Sequence, residues 1–117
     1  MTKDYVKLYD EINARDSALG KALPALMKAF DALVTQASKA GALDTKTKEL
    51  LALAIAVAVR CESCITLHAA WAQENGASRD VVSEAVGVAI QMAGAPTLVH
   101  GAEALEAFDQ FDARSSA

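Results

Sequence analysis

Two cysteines and a histidine share one short stretch of the chain, Cys61-Glu62-Ser63-Cys64-Ile65-Thr66-Leu67-His68. They include the only two cysteines in the sequence. At helical spacing Cys61, Cys64 and His68 fall on one face, because positions three and four apart stack above one another. A C-x-x-C pair can cycle between dithiol and disulfide, and a histidine one turn further on can act as its base. Taken singly, each residue has a plainer reading. A lone free cysteine is more often core filler, and a lone histidine a packed structural one. The joint spacing favours sulfur chemistry. The same three side chains could instead hold zinc or copper, with His100 or Glu49 as a fourth ligand. Three ligands crowded onto successive turns of one helix make a poor tetrahedral set. A structural oligomer with an unreactive thiol pair is the third reading.

Glu49 is the one acid at the start of an apolar run, Leu50 to Val59, that leads into Cys61. If the helices on either side of Arg60 lie antiparallel, Glu49 is roughly 16 Å back from the joint and His68 roughly 12 Å forward of it, at about 1.5 Å per residue. The difference is about one side-chain reach. Glu49 can then fix one imidazole nitrogen while the other faces Cys64, an arrangement that activates a thiol nucleophile. The plain alternative for Glu49 is a solvated acid in the first helical turn. The first turn of the Cys64 helix should also lower a thiol pKa.

The elements that must position these groups are all helices. The spacing predicts a first helix over about Asp4 to Ala14, striped by Tyr5, Leu8, Tyr9 and Ile12, then a loop from Asp16 to Lys21. Pro24 opens a second, with Leu26, Phe30, Leu33 and Val34 inward and Gly41 as its stop. Asp44 or Thr45 caps a third, running to about Val59 and central because its second half is apolar all round. A break at Arg60 to Glu62 precedes the fourth, which carries Cys64, His68 and Trp71 to Asn75. Ser78 caps a fifth that buries Val82, Ala85, Val86, Ala89 and Ile90. Gly94 closes it, and Pro96 opens a sixth to about Phe108. The tail, Asp109 to Ala117, reads as frayed. Trp71 is expected in the core or at an interface, and His100 on the surface or in packing.

The 117 residues fit a single domain over residues 1–117, and the net charge of -4 with no Lys/Arg cluster argues against nucleic acid. No apolar run approaches the roughly 20 residues of a membrane span, and no signal peptide opens the chain. The expectation is therefore a cytoplasmic protein, where a static disulfide is disfavoured. The apolar, alanine-rich composition points to subunit interfaces.

The segment Lys48 to Val57, then Cys61-Glu62-Ser63-Cys64 and His68-Ala69-Ala70, resembles the core of the carboxymuconolactone decarboxylase-like superfamily. More narrowly it resembles the AhpD-like alkylhydroperoxidase branch: Glu, eleven residues, Cys, two residues, Cys, three residues, His. The likeness continues more loosely through Glu84 and His100-Gly101-Ala102-Glu103-Ala104. It implies an all-α, AhpD-like helical fold with an antiparallel helical hairpin carrying the site. It also implies a homo-oligomer, a hexamer or a trimer. The activity implied is that of a peroxiredoxin-like thiol peroxidase or disulfide oxidoreductase acting on a hydroperoxide. Cys64 would be peroxidatic, Cys61 resolving, and Glu49 with His68 the proton relay. No cofactor is implied, and a protein dithiol or disulfide partner would recycle the pair.

One position departs from that branch. Its best-studied members carry a second histidine where this chain has Ser63, and a hydroxyl cannot act as a base near neutral pH. A carboxymuconolactone-type decarboxylase is a rival on fold alone. It does not use a cysteine pair, and no Arg and His cluster for an anionic diacid is evident here.

Overall fold

The computed structural model describes residues 3–116, and they form six α-helices with one short 3₁₀ turn. The helices are α1 (Tyr5–Ala22), α2 (Pro24–Ser38), α3 (Thr45–Ala58), α4 (Glu62–Glu74), α5 (Arg79–Ala93) and α6 (Leu98–Ser116). The 3₁₀ turn, Ala95–Thr97, joins α5 to α6. The chain is all-α, as its periodicity predicts. No helix among the described residues is long and apolar enough to cross a membrane.

The core is a ring of four helices in which α3 packs on α4, α4 on α6, α6 on α5 and α5 on α3. Leu53, Val57, Ile65, Val82 and Phe108 belong to one buried cluster in its interior. Small residues set the spacing. Ala69, Ala70, Ala72, Ala104 and Ala107 are fully buried, so backbones approach closely where larger side chains would hold them apart. Gly101 marks the tightest approach. A Cβ there would stand 2.8 Å from Val86 Cγ1, inside contact distance.

Side-chain oxygens cap the starts of three helices: Asp4 accepts from the Lys7 amide, Asp44 from Thr47 and Ser78 from Val81. The expected caps at Asp44 and Ser78 are thus in place. Several expected boundaries are not. α1 runs through the expected loop to Ala22, because its one breaker there, Gly20, costs only about 1 kcal/mol in a helix. Leu23 ends it at φ -131° and ψ 64°, outside the helical region that the following Pro24 disfavours. α2 ends at Ser38, before Gly41.

The tail is helical to Ser116, not frayed. Phe111 is fully buried, and Gln110 clamps the start of α1. Its Oε1 accepts from the Tyr5 amide and its Nε2 donates to the Lys3 carbonyl, both at 2.7 Å. Arg114 stacks over the Phe111 ring at 5.1 Å.

Two further corrections concern burial. The expected inward face of α2 is exposed, with Leu26 at 64%, Phe30 at 55% and Leu33 at 63%. α3 is not apolar on all sides by necessity of burial either, since Leu51, Ile55 and Val59 form an exposed stripe. Periodicity locates an apolar face but does not say whether this chain covers it.

Candidate functional site

The site is built around the turn from α3 to α4. The Cys61 amide donates to the Ala56 carbonyl and the Arg60 amide to the Val57 carbonyl, both at 3.1 Å. These are the two bonds of a Schellman motif. Arg60 takes the left-handed position of that motif with φ 60°, where glycine is usual. The same motif ends α4, with Gly76 at φ 86° in the corresponding place. The turn makes Cys61 the N-cap of α4, and its Sγ accepts from the Cys64 amide at 3.3 Å. C-x-x-C spacing at a helix start therefore brings the thiols together, with Sγ to Sγ 2.6 Å. Both cysteines are free and half-buried.

Burial pushes the Cys64 thiol up to about 11, and the neighbouring Cys61 thiol adds to that shift. A backbone amide pulls the other way, but less strongly. The expected lowering by the first helical turn is therefore outweighed in the reduced pair. A shift in this direction favours the protonated thiol at neutral pH.

One helical turn beyond Cys64 stands His68, paired with Glu49. Glu49 is buried on α3, and its Oε2 lies 2.7 Å from His68 Nδ1 on α4. A carboxylate only accepts, so Nδ1 carries the proton of this bond and Nε2 of the neutral ring is left as a base. His68 lies one helical turn beyond Cys64, with Cβ atoms about 5–6 Å apart at that spacing. Glu49 is therefore not a solvated helix-start acid. Its carboxyl group is buried and bonded to a single side chain.

The structure also uses residues that the pattern alone did not single out for the site. The Trp71 ring stands edge-on to His68, with centroids 5.1 Å apart and planes at 85°. Its indole N–H donates to the Tyr9 hydroxyl at 3.2 Å. The clue in the sequence was the spacing of three between His68 and Trp71. Ser63 is half-buried, and Glu62 is exposed and ion-paired with Lys3. His100 stays apart in a second polar group, with Nδ1 3.0 Å from Glu103 Oε1 on the same helix. Glu103 also accepts from the Tyr5 hydroxyl at 3.4 Å. Burial and the carboxylates of Glu103 and Glu106 push that phenol up.

Among the described residues, no group of three or more His, Cys, Asp or Glu side chains is arranged to hold a metal ion. Glu49, one proposed fourth ligand, is already engaged by His68.

An all-helical ring with a cysteine pair and a buried carboxylate–imidazole pair defines the class of site. Residues 24–107 match the carboxymuconolactone decarboxylase family, and the chain belongs to that family. An uncharacterized protein of Cupriavidus necator is 36% identical over 113 residues, covering 97% of this chain and all of the relative. A protein from the cox locus of Paracoccus denitrificans is 37% identical over 84 residues, 72% of this chain and 76% of the relative. Among solved structures, the apo form of a Legionella pneumophila protein of the same family superposes with a TM-score of 0.89 at 41% identity. That match covers 92% of this chain and 96% of the other. A Thermotoga maritima member, suggested to take part in an antioxidative response, superposes with a TM-score of 0.73 at 28% identity. It covers 79% of this chain and 95% of its own.

Proposed function

We propose that the protein is a thiol-dependent hydroperoxidase or disulfide oxidoreductase of the AhpD-like branch, with α3 and α4 as the antiparallel hairpin that carries its site. The observation that supports this most is the pairing of two free thiols 2.6 Å apart with a buried Glu49–His68 bond on the same helix pair. Packing alone requires neither. The antioxidative role suggested for the Thermotoga maritima relative accords with this chemistry.

In the proposed cycle His68 Nε2 takes the Cys64 proton, and Glu49 stabilises the resulting imidazolium. The Cys64 thiolate attacks the distal oxygen of a hydroperoxide. The O–O bond breaks, the alkoxide takes the proton back from His68 and leaves as an alcohol, and Cys64 becomes a sulfenic acid. The Cys61 thiol then attacks the Cys64 sulfur, water departs and the disulfide forms. A dithiol, from a protein or small molecule, reduces it by two thiol–disulfide exchanges and is itself oxidised. Self-association into a homo-oligomer, hexamer ahead of trimer, completes the proposal. The apolar surface left open on α2 and α3 supports it.

The test is dithiol-dependent consumption of a hydroperoxide by the reduced protein. C64A should abolish it. C61A should permit one oxidation to the sulfenic acid without intramolecular turnover. Undiminished activity in C64A would refute the assignment of the nucleophile.

A further inference from the structure

α2 is amphipathic yet buries nothing. None of its 15 residues is buried, whereas every other α-helix buries at least two side chains. Its apolar stripe borders a groove of about 590 Å³ between α2, the second half of α1 and α4, with Leu67 and Trp71 among its walls. Trp71 is the residue set against the His68 ring. Whatever fills the groove therefore lies one side chain from the Glu49–His68 pair.

The order of apolar residues along α2 indicates what fits. Around Phe30, apolar residues stand four and three positions before it, Leu26 and Met27, and three and four positions after it, Leu33 and Val34. The row reads the same in both directions. On the helix surface Leu26 and Leu33 lie to one side of Phe30, and Met27 and Val34 to the other. A second α2 running antiparallel about a two-fold axis at Phe30 would set Leu26 beside the partner's Leu33. It would set Met27 beside the partner's Val34, and Phe30 against its own copy. Contacts in which each residue meets its counterpart's partner are the requirement of a two-fold interface. Anchors three, four and seven apart are those a helix uses in a groove. Lys28 and Thr35 fall on the opposite face, and Asp31 stands at the edge of the stripe, where it lines the groove with Asp16.

The size is also appropriate. Leu19, Leu23, Leu26, Phe30, Leu33 and Val34 are between 37% and 64% exposed. Together they present on the order of 600 Å², and the groove walls bring this towards the roughly 800 Å² per partner of a standard interface.

We infer that α2 is the two-fold contact of a homodimer, in which the partner's α2 closes the groove over Leu67 and Trp71 and shields the imidazole side of the thiol site. The inference rests on the self-association in the proposed function and not on its thiol chemistry. It requires an even number of subunits.

F30E tests it by placing two carboxylates face to face on the axis. Light scattering should show half the parent's mass, with an unchanged far-UV spectrum because Phe30 supports no core. Emission from Trp71, the one tryptophan, should shift to the red as the groove opens. An independent test places F30C in a C61A/C64A background. Mild oxidation should join two chains through it, whereas T35C on the opposite face should not join them. A parent that is monomeric or odd-numbered overturns the inference. So does F30E of unchanged mass, F30C that fails to cross-link, T35C that links as well as F30C, or unshifted Trp71 emission. Oxidation of the parent's Cys61–Cys64 pair, read separately by mass, shows whether the thiol reading stands when the interface does not.

Discussion

Replacing Glu49 by glutamine removes one charge from the site and little else. Gln keeps the size of the side chain and an oxygen that can accept from His68 Nδ1, so the helices should stay packed. In the proposed cycle, what changes is the stabilisation of the imidazolium formed when His68 takes the Cys64 proton. A hydrogen bond to a charged group is worth about 1.5–3 kcal/mol and a neutral one about 0.5–1.5 kcal/mol. The Glu49 side chain is only 8% exposed, so solvent screens little of that difference. A loss of about 1–1.5 kcal/mol lowers the rate roughly tenfold, since 1.36 kcal/mol is one decade. H68A removes the proposed base and should cost about 10²–10⁴-fold. The assay is single-turnover formation of the Cys61–Cys64 disulfide with excess peroxide, stopped by alkylation and read by mass from pH 6 to 10. Both variants should approach the parent as the pH rises towards the Cys64 value of about 11, where thiolate forms unaided. An E49Q rate equal to the parent's throughout neutral pH would refute the relay. A normal H68A rate alongside a dead C64A would leave activation to the helix terminus.

Other outcomes follow from the same geometry. Removing Cys61 takes away the thiol contact that helps raise Cys64 but leaves burial, the larger cause. In C61A the thiolate absorbance should therefore titrate below about 11 yet above 9.0, and an unchanged midpoint would contradict the assigned coupling. Because folding raises this pKa, the unfolded chain loses the proton first. The reduced parent should lose stability between pH 9.0 and about 11, and C64A should lose less in that window by denaturant titration. R60G should stabilise the fold by about 1 kcal/mol, since the left-handed position costs a side chain about 1–2 kcal/mol and glycine gives part of that back in entropy. A lower melting temperature in R60G would contradict this. F111A should cost about 3–5 kcal/mol if the last helix is part of the core, whereas an unaffected stability would return the tail to a frayed one.

The parts of the fold written into single local signals were legible in the sequence. Asp44, Ser78, Pro24 and Gly76 each mark a helix end by a bond or torsion that needs no tertiary context. The Glu49–His68 contact was legible because a helix rises by a fixed amount per residue, so two positions whose distances from a turn differ by about one side-chain reach can meet if the helices are antiparallel. The length of α1 and the fate of the tail were not legible. Gly20 looks like a breaker until Met27 packs beside it, where an added Cβ would stand 3.3 Å from Met27 Cγ, and Gln110 looks solvated until its amide clamps the start of α1. The exposure of Leu26, Phe30 and Leu33 is not legible for a similar reason. An apolar stripe has the same sequence signature whether its cover is this chain or another. The height of the Cys64 pKa depended on burial and on contact between the two sulfurs, which spacing alone does not fix.

The most direct measurement of the central claim is the mass of the reduced protein after one equivalent of hydrogen peroxide near neutral pH. The account predicts a product lighter by two hydrogen atoms, with Cys61 and Cys64 joined in one peptide, blocked to alkylation and restored by a dithiol. A pair that stays fully alkylatable, or that oxidises only between chains, would contradict it.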